Sequence, residues 1–97
     1  MAFVQVMTYT TEHRAEMDAA LHRWLEDTQD VRRARKRLLL KDRNAADSYI
    51  EVVFFDSYED AMHNSRLPAT TMLSREFERW TVDGFEFRDF DVAVDDL

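Results

Sequence analysis

Phe3-Val4-Gln5-Val6-Met7-Thr8-Tyr9 is rich in β-branched and aromatic side chains and predicts a strand over 3–9. Thr10 and Thr11 then stand as candidate helix caps, with Glu12 favourable in a first turn. Met17, Leu21, Trp24 and Thr28 follow at i, i+4, i+7 and i+11, which is one face of a helix running to about Thr28. Ala20 and Leu25 widen that face, and Glu16, Arg23, Glu26 and Asp27 take the wet side. A second strand is expected over 33–42, solvated or ion-paired at its start and buried towards its end. A polar connection over 42–47 leads into Tyr49–Phe55, a strand apolar on both faces except at Glu51, which therefore needs cover on both sides.

Ser57, with Asp60 three residues on, predicts the start of a helix through Tyr58, Ala61 and Met62 to Ser65. Pro68 would cost about 3 kcal/mol inside a helix, so it is expected to open a second helical segment instead. That segment presents Leu73, Phe77 and Trp80 on one face and is expected to end at Asp83-Gly84, with Gly84 as a left-handed cap. Residues 85–94 predict the last strand. Phe85 and Phe87 share one phase, Phe90, Val92 and Val94 the other, and a bulge near Arg88-Asp89 is expected from that switch. The tail Asp95-Asp96-Leu97 is expected to fray. The resulting order, β-α-β-β-α-β, predicts an α+β, ferredoxin-like domain with an antiparallel sheet over residues 1–97. Its helices cover one face of the sheet, and a second chain packed face to face would cover the other.

Ninety-seven residues make one domain, and at 45% hydrophobic and 34% charged the chain is globular rather than disordered. A domain of this size buries only about 60–65% of its chain surface, so assembly into a homodimer is a natural remedy. The absence of cysteine excludes disulfides, thiolate metal sites and a cysteine nucleophile. A single glycine excludes phosphate loops, dinucleotide fingerprints and a nucleophile elbow. The sequence has no apolar run of membrane-spanning length and no signal-like start, so a cytoplasmic protein without a membrane partner is expected.

Charge is unevenly spread. Residues 32–43 hold seven basic residues and one acid, and the rest of the chain holds six basic against 19 acidic ones. The net charge of −7 argues against nucleic acid as a partner. The basic strand is instead expected to face carboxylates of a second copy, among Asp89, Asp91, Asp95 and Asp96, with an anionic ligand at Arg35 or Arg37 as the other reading. Glu51 either pairs with an arginine of the second strand or is a buried acid in a site. Of the three histidines, none pairs with another at metal-ligand spacing, so no metal site is expected. His63, beside Asn64 and Ser65 at the helix break, is the candidate general base. Its other reading is a polar helix end facing water. Tyr9, Trp24, Phe54, Phe77 and Trp80 are candidates for an aromatic-lined pocket or for ordinary core.

The segment Ser48-Tyr-Ile-Glu-Val-Val-Phe-Phe-Asp-Ser-Tyr-Glu-Asp-Ala-Met62, a strand, a short acidic turn and a helix, resembles that of the dimeric α+β barrel superfamily. Within it, the chain is similar to the antibiotic-biosynthesis-monooxygenase-like (ABM-like) group, and the final Phe87-Arg-Asp-Phe-Asp-Val92 strand fits the same pattern. The resemblance implies a homodimer whose sheets close into a barrel, with a pocket between each sheet and its own helices. The group includes cofactor-independent oxygenases of aromatic polyketides, haem-degrading enzymes, and aldehyde- or quinone-modifying enzymes. The haem-degrading branch carries a proximal histidine in the second helical segment, and residues 69–80 contain none, so no haem or other cofactor is expected. Where related oxygenases use an asparagine on the first strand, this chain has Gln5. The expectation is a small-molecule enzyme, a cofactor-independent monooxygenase of an aromatic or polyketide-like substrate. Gln5, Tyr9, Trp24, Asn64 and Trp80 would bind the substrate, and His63 would move a proton. The alternative is a non-catalytic ligand-binding or dimeric assembly module of the same fold.

Overall fold

The structure, a computed structural model, describes residues 2–96. Its elements run β1 (Phe3–Thr10), α1 (Arg14–Asp27), β2 (Lys36–Lys41), β3 (Ser48–Phe55), α2 (Tyr58–Ser65), α3 (Pro68–Trp80) and β4 (Val82–Asp91). The four strands form one antiparallel sheet in the order β2-β3-β1-β4. This is the ferredoxin-like α+β arrangement expected from the sequence.

The register sorts the side chains by face. Phe3, Gln5, Met7 and Tyr9 of β1 lie opposite Phe55, Val53, Glu51 and Tyr49 of β3. They also lie opposite Asp91, Asp89, Phe87 and Phe85 of β4. Arg37, Leu39 and Lys41 of β2 join the same face. Burial of Phe3, Tyr9, Glu51 and Phe55 marks it as the face under the helices. Two apolar clusters form there. Phe3, Phe55 and Ala61 make one, and Tyr9, Met17 and Phe77 make the other. The opposite face carries Val4, Val6, Leu38, Leu40, Ile50, Val52, Phe54 and Phe90. Of these, Leu38, Leu40, Ile50 and Phe90 are exposed large hydrophobics, and no helix covers them. Phe54 therefore belongs to the open face rather than to an internal pocket, because its position is even in a strand whose odd positions point inward.

The helices begin and end largely where their chemistry dictates. The Ser57 hydroxyl accepts from the Asp60 backbone N–H at 3.1 Å and caps α2. Pro68 opens α3 at its first turn. Met17, Ala20, Leu21 and Trp24 are the buried residues of α1, as their spacing predicts. Thr11 caps differently from expectation. Thr10 stays in β1, and the Thr11 hydroxyl accepts from the His13 N–H at 2.9 Å before the first helical residue. The same hydroxyl donates to the Trp80 carbonyl, tying the start of α1 to the end of α3.

Three expectations shift. The second strand is shorter than 33–42, although the Arg35 N–H still reaches the Phe54 carbonyl at 2.7 Å. The last strand has no bulge at Arg88-Asp89, since simple alternation already puts Phe85 and Phe87 on one face and Phe90 on the other. The irregularity lies at the strand's start, where the register slips between Tyr9↔Phe85 and Thr10↔Val82. Asp83 and Gly84, at φ 59° and 78°, take up the slip, so Gly84 serves this bulge instead of capping α3. Asp95 and Asp96 are exposed beyond β4, and Leu97 lies outside the described residues.

Candidate functional site

A cavity of about 550 Å³ lies between the helix-side face of the sheet and the helices. It draws its apolar wall from both clusters and from the helices, including Met7, Leu21, Trp24, Phe55, Phe77 and Phe85. Polar and charged residues make up much of the rest, Arg32, Arg35, Lys36, Ser65, Thr71 and Ser74 among them. Gln5 comes from β1, Arg37 and Glu51 from neighbouring strands, Asn64 from the last turn of α2, and Thr70 from the first turn of α3. The volume falls within the range of small-molecule pockets.

The helix break at Leu67-Pro68 shapes this wall. Ending α2 at Ser65 sets Asn64 against the interior, where it is 6% exposed. Its carbonyl oxygen accepts from the Arg33 N–H at 3.2 Å, and its amide N–H₂ has no protein partner among the described residues. Restarting the chain as α3 brings Thr70 to the Trp24 indole N–H, which donates to its hydroxyl at 2.9 Å. The Arg32 guanidinium lies 5.6 Å from the Trp24 ring centroid. Gln5 donates through its amide nitrogen to Asp89 at a long 3.4 Å, leaving its carbonyl free.

The Glu51 carboxylate accepts a hydrogen bond from Arg37 on the adjacent strand. The pair sits diagonally, since Leu39 is the residue opposite Glu51 and Arg37 is opposite Val53. The pairing of Glu51 with a second-strand arginine is thus as one of its two readings had it, and the carboxylate is also buried on the wall of a cavity. Two other basic residues of this stretch are paired in the same way. Arg33 reaches Asp60 at 3.2 Å and Arg35 reaches Asp56 at 3.4 Å. Their carboxylates come from the same chain, not from Asp89, Asp91, Asp95 or Asp96 of a second copy. Asp56 of the β3–α2 connection and Asp60 of the first turn of α2 come to lie beside the basic stretch, a proximity that follows from β2 and β3 being neighbours.

Of the six residues singled out in the sequence, Gln5, Trp24 and Asn64 line the cavity. His63, Tyr9 and Trp80 do not. His63 is half-buried on α2 and is not part of the cavity wall, which takes Ala61, Asn64 and Ser65 from that helix. Tyr9 packs instead against Tyr49 and Phe77, and its hydroxyl accepts from Arg14 at 2.6 Å. Burial pushes its phenol up to about 12, with the Glu51 charge adding and the Arg14 hydrogen bond opposing. Trp80 lies against the His13 ring, at 4.9 Å between centroids. Arg35 and Arg37, read in the sequence as candidates for an anionic ligand, both line the wall, and Thr70 was missed. The alternation of β2 carries the signal for Arg37, since it shares phase with Leu39, whereas Thr70 had none. Among the described residues no cluster of three or more His, Cys, Asp or Glu has a metal-binding arrangement.

No protein-family model matches the sequence, and no curated protein matches it. Solved structures do match in fold. SnoaB, a cofactor-independent oxygenase from Streptomyces nogalater, superposes with a TM-score of 0.80 at 14% identity, covering 97% of this chain and 95% of that one. A "putative antibiotic biosynthesis monooxygenase" from Caulobacter crescentus matches with a TM-score of 0.81 at 9% identity, over 96% of this chain and 91% of that one. Rv0793 from Mycobacterium tuberculosis matches with a TM-score of 0.79 at 8% identity, over 98% of each chain. At such identities the likeness is one of backbone architecture. Over nearly its whole length, this chain has the fold of the antibiotic biosynthesis monooxygenase structures.

Proposed function

We propose that this chain is an ABM-like enzyme that takes a small aromatic or polyketide-like molecule into the cavity and oxygenates it without a cofactor. The observation that carries this reading is the 550 Å³ cavity itself, apolar and aromatic in its walls with Gln5 and Asn64 amides turned to it. The fold shared with SnoaB, a cofactor-independent oxygenase, supports it. Such chemistry asks the protein to hold an electron-rich ring, to take up its proton and to keep water out. Trp24, Phe77 and Phe85 supply ring contacts, and the amides of Gln5 and Asn64 supply orientation. With His63 away from the wall, Glu51 is the one carboxylate there to accept a proton.

The proposal includes a homodimer. Val6, Leu38, Leu40, Ile50 and Phe90 form part of a sheet face that no helix covers, and a second copy packed on it would bury that face. It also places the protein in the cytoplasm. No helix among the described residues is long and apolar enough to cross a membrane.

One observation favours the non-catalytic alternative. The Asn64 carbonyl, the Trp24 N–H and Glu51 all have partners within the chain already. The test is oxygen uptake with the hydroxyanthrone dithranol, in the presence of a metal chelator. Its ring methylene would become a carbonyl, one atom of O₂ entering the product and the other leaving as water. Turnover above the spontaneous rate, with one labelled oxygen per product, is expected, and Ala61→Phe, which fills the cavity, abolishes it. Binding of dithranol without accelerated oxidation supports the ligand-binding module instead, and absence of binding removes both.

A further inference from the structure

Glu51 is the only acidic side chain on the cavity wall among the described residues, where Arg32, Arg35, Lys36 and Arg37 all contribute positive charge. One of its oxygens, Oε1, is taken by Arg37. The other, Oε2, receives no hydrogen bond among the described residues. It is not sealed off either, for the sealed and unpartnered side-chain atoms are Arg14 Nη2 and Arg37 Nε. Its open side is therefore the cavity. The residues opposite Glu51 on the neighbouring strands, Met7 and Leu39, are apolar, so a hydrogen bond made there is little weakened by water.

We propose, resting on the cavity's reading as an aromatic-binding site, that Glu51 makes it selective for neutral aromatic molecules carrying a hydroxyl or N–H donor. The ring lies among Trp24, Phe77 and Phe85, and the donor gives its proton bond to Glu51 Oε2. A carboxylate is an acceptor only. An ether in the donor's place offers it nothing, and an anion is repelled. The basic residues of the same wall raise the opposite possibility, that of a site for anions. Their commitments argue against it. Arg37 is held by Glu51, and Arg35 by Asp56. Arg32 donates to the Leu25 carbonyl at 2.9 Å and lies over Trp24, and the Lys36 ammonium lies 5.6 Å from the Phe54 ring centroid, on the outer face of the sheet.

Calorimetric titration with 2-naphthol, 2-methoxynaphthalene and 2-naphthoate at neutral pH separates these readings on the unaltered protein. The three probes share a ring and differ only in being a donor, a capped donor and an anion. 2-Naphthol is expected to bind about tenfold or more tightly than its methyl ether, the size of a hydrogen bond to a charged acceptor. 2-Naphthoate is expected to bind weakest. In Glu51→Gln, which keeps a carbonyl for Arg37, the naphthol preference is expected to fall to within about threefold, and naphthoate to gain. A structural role alone would change all three affinities together and leave their ratios fixed. Equal affinity for 2-naphthol and its ether in the unaltered protein overturns the role of Glu51 and leaves aromatic binding standing. Tightest binding of 2-naphthoate overturns it in favour of the basic wall. If none of the three binds, the aromatic cavity and this selectivity fall together.

Discussion

Removing the two members of the Arg37–Glu51 pair separately should not be symmetric. The Glu51 side chain is 4% exposed and that of Arg37 is 27% exposed. In Glu51→Leu, the stranded guanidinium is already near solvent and can swing its long arm outward, so a loss of about 1–2 kcal/mol is expected. In Arg37→Met, a short carboxylate is left on an inner strand with no cation and with the cavity as its one open side, which costs about 3–5 kcal/mol. The double variant replaces a buried ion pair by apolar groups of similar volume and is expected to lie within about 1 kcal/mol of the parent, or above it. The coupling between the two sites is then on the order of 3 kcal/mol or more. Urea unfolding followed by circular dichroism measures all four stabilities, at matched protein concentration so that any association contributes equally. If Glu51→Leu is the more damaging change, or if the losses simply add, the exposure argument is wrong and the pair is not the electrostatic unit described.

The Tyr9 phenol, pushed up to about 12, holds its proton in the folded state beyond the pH at which the unfolded chain releases it near 10. Its contribution is thus present below pH 10 and lost as pH rises towards 12. After allowance for screening, that amounts to about 1–2 kcal/mol of the alkaline decline. Tyr9→Phe is expected to flatten this part of a stability-against-pH curve measured by urea unfolding, and an unchanged slope would refute the assignment. Ser57→Ala removes the side-chain oxygen that accepts from the Asp60 N–H, and about 1 kcal/mol of stability should go with it. Ser57→Asp should retain most of it, as the same unfolding experiment would show.

The strand-helix pattern was legible because each element carries its own period. The face of α1 is written in Met17, Leu21 and Trp24, and the break between α2 and α3 in Pro68. Glu51 stood out as the one acid in a strand otherwise apolar on both faces, though nothing local told which face it takes. What could not be read locally was the relation between elements. The partners of Arg33 and Arg35 are settled by the adjacency of β2 and β3, which brings Asp60 and Asp56 alongside from later in the chain. His63 and Asn64 looked equivalent as neighbours at a helix end, yet of the two only the amide lines the cavity. The bulge at Asp83-Gly84 was misplaced because the switch of phase among the phenylalanines is what an unbroken strand already does.

The central position of β1 gives its reading frame unusual weight. It is hydrogen-bonded on both sides, to β3 and β4, so its registration governs two ladders at once. Deleting one residue there would leave every backbone pairing geometrically possible. It would nevertheless exchange the two faces, sending Gln5 and Met7 outward and turning Val4 and Val6 towards the helices. The cavity would lose its amide and the outer face would lose its valines in one step. Evolution of this chain can therefore vary the two faces of β1 independently by substitution, one parity at a time, but an insertion or deletion within it alters both functions together.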